Sequence, residues 1–252
     1  MRRRVHLLVP GVVALMLAAC AITTGVRPNP FNPVHTVAVL PVYNATNDVE
    51  APQRVREEFS KRLARWHYAV KPLDEVDRIL RDRMGITLGS QLEMTTAKEL
   101  GEVLGVDGVV YGYLLNFDDV TTGVYNVKKV RAGFKLVEAG SGRIMWARGQ
   151  GVKSELISGG MVGKGLATAK GVKDKREGIE PFKSIKGIEG IAGLEEWHVL
   201  ERREEKSVGD AALFSLGEKL VSKAIGMHLK VESDKMLKMI MGSMPPGPGG
   251  AR

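Results

Sequence analysis

Apolar positions along the chain fall into runs whose spacing changes from element to element. Thr36 to Val42 reads TVAVLPV, a β-branched run suited to a buried strand. Asn44 to Asp48 is a polar cluster that turns the chain into a helix. From Ala51 to Trp66 the period becomes helical. Val55, Phe59, Leu63 and Trp66 share one face, and Arg54, Glu57, Glu58, Lys61 and Arg65 lie elsewhere. A short strand over Tyr68–Lys71 leads to a second helix over Leu73–Met84, striped by Val76, Ile79, Leu80 and Met84. Thr95 or Thr96 caps a third helix that runs to Leu104, and Gly105 ends it.

Strands then dominate. Val109–Phe117 reads as a central strand. Tyr125–Ala139 and Arg143–Lys153 flank Gly140-Ser141-Gly142 as a β-hairpin, with Val130, Ala132, Phe134 and Leu136 on one face. The order β-α-β-α-α-β-β-β predicts an α/β fold, a mixed sheet flanked by helices, over residues 36–155. Beyond it the period decays. Residues 156–207 are rich in glycine and in balanced charge, and read as a flexible insertion with short helical pieces. A long helix over residues 208–241 completes the domain, with Leu213, Leu216, Leu220, Ala224 and Met227 in its stripe. Met236, Met239, Met241 and Met244 follow, suited to core or partner contacts. Residues 242–252, ending in PPGPGGAR, read as a disordered tail.

The first residues follow a different pattern. Arg2, Arg3 and Arg4 precede an apolar run from Val5 to Leu17, then Ala18, Ala19 and Cys20. A positive segment, a short apolar segment and a small-residue cleavage site make a secretory signal peptide over residues 1–19. The run is shorter than the roughly 20 residues a membrane-spanning helix needs. Leu17-Ala18-Ala19-Cys20 resembles the lipobox of bacterial lipoproteins. The resemblance implies a diacylglyceryl group on Cys20 and cleavage just before it. Two or three acyl chains would hold the protein on a membrane, since each buried methylene contributes about 0.8 kcal/mol. Ala21, in place of an aspartate, implies the periplasmic face of an outer membrane. Residues 20–35 carry Pro28, Pro30 and Pro33 and read as a tether, which fully extended would span on the order of 50 Å.

Charge and chemistry narrow the function. Losing the three arginines takes the formal charge of the chain from +8 to +5, spread along the sequence. Aromatics are 6% of residues, and no basic block interleaves with them, so nucleic-acid binding lacks its footprint. Cys20 is the only cysteine. The histidines at 6, 35, 67, 198 and 228 lack metal-ligand spacing, so no metal and no cofactor is expected. GGMVGKG, residues 159–165, fails the phosphate-loop spacing: Ser158 stands where the first glycine belongs and Gly165 follows Lys164. Glu57-Glu58, Asp118-Asp119, Glu195-Glu196 and Glu204-Glu205 read as solvated faces and caps rather than an acid–base pair. No enzyme is expected.

Longer stretches carry a second resemblance. VAVLPVYNATND, GVDGVVYGYL and FKLVEAGSGRIMWARG are similar to bacterial lipoproteins related to the curli secretion component, the penicillin-binding-protein activator lipoprotein and the TolB N-terminal domain. MGITLGSQL and AKELGEVLGVDGVVYGYL resemble most a lipoprotein family known as a neisserial surface antigen of unknown function. The resemblance covers about Thr36 to Lys153. It implies an envelope location, a tendency to form homo-oligomers and no catalytic residues. The leading expectation is a lipid-anchored, non-enzymatic protein that binds envelope proteins through a sheet edge, the loop with Tyr43, Asn44 and Asn47, or the helix with Met236 and Met239. A secretion-channel subunit and an envelope enzyme acting on glycan or lipid are the alternatives.

Overall fold

The computed structural model describes residues 26–122, 125–159, 176–181, 191–207 and 229–249. Its elements are β1 (Thr36–Val39), β2 (Tyr43–Asn44), α1 (Ala51–Arg65), β3 (Ala69–Val70) and α2 (Leu73–Met84), then a 3-10 turn at Gly89–Met94 and α3 (Ala97–Leu104). There follow β4 (Gly108–Thr122), β5 (Tyr125–Glu138), β6 (Ile144–Gly159), β7 (Arg176–Pro181), β8 (Glu196–Ser207) and α4 (Lys230–Met241). Among the described residues, eight strands join one mixed sheet, in the order β3-β1-β4-β5-β6-β8-β7, with β2 beside β4 beyond the end of β1. Strand β1 runs parallel to β3 and β4. Strands β4, β5 and β6 are antiparallel neighbours, and β8 is parallel to β6. This is the mixed sheet flanked by helices that the periodicity predicts.

Each face of the sheet takes a pair of helices. Val55, Phe59 and Leu63 of α1 and Met236, Leu237 and Ile240 of α4 bury one face with Val110, Leu114, Phe134 and Leu136. The Phe59 and Phe134 rings stack 4.0 Å apart, 5° from parallel. Helices α2 and α3 cover part of the other face, setting Val76, Leu80, Leu100 and Leu104 against Ala38, Leu40, Val109 and Val137. Strand β1 is covered on both sides, which is why its residues read as a continuous apolar run. Arg56, inside α1, ties the two layers. Its Nε and Nη2 donate to the Val39 carbonyl at 3.1 and 2.8 Å, and its Nη1 lies 2.7 Å from Asp77 of α2.

Local signals hold the helices where the sequence places them. Thr96 accepts from the Glu99 amide while the Glu99 carboxylate accepts from Thr96, a reciprocal cap that starts α3. Gly85 and Gly105 end α2 and α3 in the left-handed conformation. Asp107 then fastens the start of β1 to that of β4. Its Oδ2 accepts from the amides of His35 and Thr36, at 3.1 and 2.8 Å, and from the Thr36 hydroxyl. Partial burial opposes ionisation, but the Thr36 and His35 hydrogen bonds outweigh it and hold this carboxyl below its ordinary range.

Three expectations change. First, the described parts of the tether and the tail are docked, not free. Asn32 is buried; its Nδ2 donates to Tyr68 Oη and to the Pro246 carbonyl, each at 2.9 Å. Tyr68 Oη donates to the Pro245 carbonyl, and Trp66 Nε1 to that of Met244. The Asn29 amide donates to Gly247, and the Gly247 amide to Trp66, both at 2.8 Å. Composition registers the prolines as helix breakers. It does not register that proline has no amide to leave unsatisfied, while the carbonyls of Pro246 and Pro245 accept from Asn32 and Tyr68. Gly247 is required there, since a Cβ would lie 2.5 Å from the His67 carbonyl oxygen.

Second, residues 156–207, expected as a flexible insertion, contribute β7, β8 and the end of β6. Strand β8 pairs with β6 through its backbone and buries Trp197, Val199 and Leu200, so the charges that mask its period face outward or lie at its far end. Residues 160–175 and 182–190 lie outside the described residues. Third, the last helix begins at Lys230. Leu229 has φ of +55°, in the left-handed region, which interrupts any single helix over 208–241. Residues 208–228 lie outside the described residues, as do residues 1–19, expected as a signal peptide, Cys20 and residues 250–252.

Candidate functional site

Cross-strand register builds the most distinctive surface of the molecule. Tyr43, Tyr113, Gly133, Gly149 and Trp197 stand side by side on β2, β4, β5, β6 and β8. The buried Trp197 indole lies over the two glycines. A Cβ at Gly133 would come within 2.6 Å of its ring, and one at Gly149 within 2.7 Å. Leu115 and Leu194 join Trp197 in a small separate core. Two residues along the same strands comes a second row, Tyr111 and Lys135.

Helices α2 and α3 stop short of these rows, and Trp197 covers only their far end. Between the two covers the sheet face opens as a cleft of about 200 Å³. Tyr43, Tyr111, Tyr113 and Lys135 form its floor, and Gly89, Leu92, Glu93 and Thr95 line the side carried by the 3-10 turn. That turn sits close because Gly89 has no side chain: a Cβ there would lie 2.4 Å from the Tyr43 amide nitrogen.

The electrostatics suit ligand binding. The Tyr43 and Tyr113 rings lie 6.3 Å apart, tilted by 38°. Lys135 Nζ sits 5.1 Å from the centroid of the Tyr111 ring and 5.8 Å from that of Tyr113, a doubled cation–π contact. Burial pushes the Tyr111 hydroxyl up to about 12. Burial also raises Tyr113, with Tyr111 and Glu93 adding to the shift. Both phenols therefore stay protonated at neutral pH. Burial lowers Lys135. The floor thus offers an ammonium group, phenolic donors and aromatic faces. Glu93 is the only carboxylate among the described residues that line it. Among the described residues, no group of three or more His, Cys, Asp or Glu side chains could hold a metal. No helix among them is long and apolar enough to cross a membrane.

Residues 32–170 match the family described as "Putative lipoprotein GNA1162-like". The chain belongs to this lipoprotein family. A search of curated proteins finds no match. Among solved structures, lipoprotein GNA1162 from Neisseria meningitidis is 20% identical, covering 54% of this chain and 94% of that one at a TM-score of 0.45. The LpoB C-terminal domain from Escherichia coli is 16% identical, covering 55% and 90% at 0.33. The PelC dodecamer from Paraburkholderia phytofirmans is 15% identical, covering 48% and 71% at 0.32.

In this lipoprotein the site residues expected from sequence separate. Tyr43 enters the cleft. Asn44 shapes the loop instead: its Oδ1 accepts from the Thr46 amide and hydroxyl, and its Nδ2 donates to the Asp48 carbonyl. Asp48 in turn accepts from the amides of Glu50 and Ala51 at the start of α1. Asn47 is exposed on the same loop. Met236 is fully buried and Met239 packs half-buried against the core, so this stripe is not an exposed partner surface. It packs because α4 lies along β5 and β6. The expected lipobox, Leu17, Ala18, Ala19 and Cys20, falls outside the described residues.

Tyr111, Tyr113, Lys135 and Trp197 are the residues that sequence reasoning missed. A signal for them exists. In YGYL and GFKL, the positions that alternate with the buried Phe134 and Leu136 carry tyrosine and lysine. Both strands therefore present polar-tipped side chains to one face.

Proposed function

We propose that this chain is a non-enzymatic lipoprotein, held through acylated Cys20 on the periplasmic face of the outer membrane, whose cleft binds another envelope protein. One observation carries the binding role. Lys135 places a half-buried ammonium beside two tyrosine rings, held in no ion pair among the described residues, with Glu93 the one carboxylate among them that lines the cleft. Such a group favours an incoming carboxylate, and the tyrosine faces favour the apolar stem that bears it. Around it the surface has the composition of an interface. Met94 and Leu88, on the segment lining the cleft, are 88% and 61% exposed. The lipobox and the family support the anchor.

A photo-crosslinking amino acid at Met94, in living cells, tests the reading. The expected product is a discrete adduct with an envelope protein, present only while the protein stays in the membrane fraction. Cys20→Ala removes the anchor and serves as the control. An adduct pattern no different from that of a crosslinker at Val49, which is exposed but not among the residues lining the cleft, would overturn the binding role.

A further inference from the structure

The docked tether changes how the domain meets its membrane. Fifteen free residues would let it stand well off the lipid surface. Instead, residues from Val26 onward are fixed against the turn Trp66–Tyr68 and the tail, Val26 through its carbonyl and the His67 ring. Five residues separate Cys20 from Val26, and the six Cα–Cα steps reach about 20 Å at full extension.

The fixed segment carries an unusual side chain. Phe31 is 91% exposed. It sits in a closed turn, with Asn32 donating to the Asn29 carbonyl at 3.0 Å and the Phe31 amide donating to Asn29 Oδ1 at 3.1 Å. Pro30 restricts the backbone of the turn, and Asn32 is bolted to Tyr68 and Pro246. Arg27, Pro28, Pro30 and Pro33 are exposed beside it. A lone exposed phenylalanine is ordinary on a protein surface. This one is held outward on a rigid apolar ridge, with a cation alongside, eleven residues from Cys20. Aromatic and basic side chains are the pair that settles at a bilayer interface.

We infer that the Phe31 turn rests in the lipid surface, so that the tether end of the sheet faces the membrane and the tyrosine cleft faces away from it. The inference rests on the acylation of Cys20 proposed above. The orientation follows from the strands: β1 and β4 both start at the tether end, and Tyr113 lies five residues farther along β4 than Gly108, about 17 Å. The lipid surface is chosen as occupant because the short chain between Val26 and Cys20 holds this ridge within reach of it.

The test uses the full, acylated protein, purified in detergent and reconstituted into vesicles of phosphatidylethanolamine and phosphatidylglycerol. Phe31→Cys carries an environment-sensitive fluorophore, and Val49→Cys, a site 87% exposed before α1, carries the same dye in a separate sample. Doxyl-labelled lipid is added to both. Loss of most of the emission at position 31, with little loss at 49, is the result expected. Vesicle-bound protein with equal or no quenching at the two sites overturns the inference and leaves the anchor intact. Protein that does not float with the vesicles removes the anchor, and the inference falls with it.

Discussion

The two ends of the sheet treat their polar groups in opposite ways. At the tether end, donors and acceptors are matched: Asn32, Trp66 and Tyr68 serve the carbonyls of the tail, and Asp107 serves the first amides of β1. At the cleft, Lys135 is left to two aromatic rings, and large apolar side chains stand in solvent nearby. Matched groups fix geometry and contribute stability. An ammonium held in no ion pair among the described residues contributes little to folding and leaves its charge for a ligand. The contrast separates the part of the molecule that holds its position from the part proposed to bind.

Substitutions can break that contrast, and the largest effect falls on the small core beside the cleft. Trp197→Ala removes a fully buried indole that covers Gly133 and Gly149. Chemical denaturation should show a loss of about 3–5 kcal/mol, in the range for large-to-small core changes. Asn32→Ala comes next. It strips hydrogen bonds from Tyr68, Pro246 and Val34 at a buried position. A loss of about 2–3 kcal/mol is expected, with faster hydrogen exchange at Asn29 and Gly247.

Titration probes both ends with opposite signs. The folded Asp107 carboxyl lies below its ordinary range, so its contribution is present above the unfolded pKa of about 3.9 and is lost as pH falls through the folded value. Asp107→Asn should therefore flatten the acid limb of the stability curve, at a cost of about 1 kcal/mol at neutral pH after allowing for solvent. The Tyr111 phenol is raised, so its contribution is complete below the unfolded pKa of about 10 and is lost as pH climbs from there toward about 12. Tyr111→Phe should reduce the alkaline loss of stability. The smallest effect on folding belongs to Lys135→Met, within about 0.5 kcal/mol of the parent. Its effect on partner capture should be the largest of the set. A strongly destabilised Lys135→Met would mean that the cleft cation serves the fold.

How much of this was legible follows the reach of each interaction. Helix α1 was readable because Val55, Phe59 and Leu63 repeat on one face, and α3 because Thr96, Glu99 and Gly105 cap it locally. The tail was not. Its prolines gain their order from Asn32 and Tyr68, which are far away in the sequence. Strand β8 was hidden by its charges, since a strand added along β6 needs backbone pairing more than an apolar period. Of the expected site, only Tyr43 took its place in the cleft. The others were assigned to a surface that Met236 does not occupy and to a loop that Asn44 braces. The floor joins Tyr111 and Tyr113 to Lys135 through strand register, which no local pattern states.

The most direct test of the account is photo-crosslinking from Met94 in cells, read by mass spectrometry, in the parent and in Lys135→Glu. The account predicts one dominant envelope-protein adduct in the parent. It predicts that charge reversal reduces that adduct at least tenfold, the equivalent of about 1.4 kcal/mol, while the protein stays folded and membrane-bound. An adduct of undiminished yield in the folded, anchored variant would contradict it.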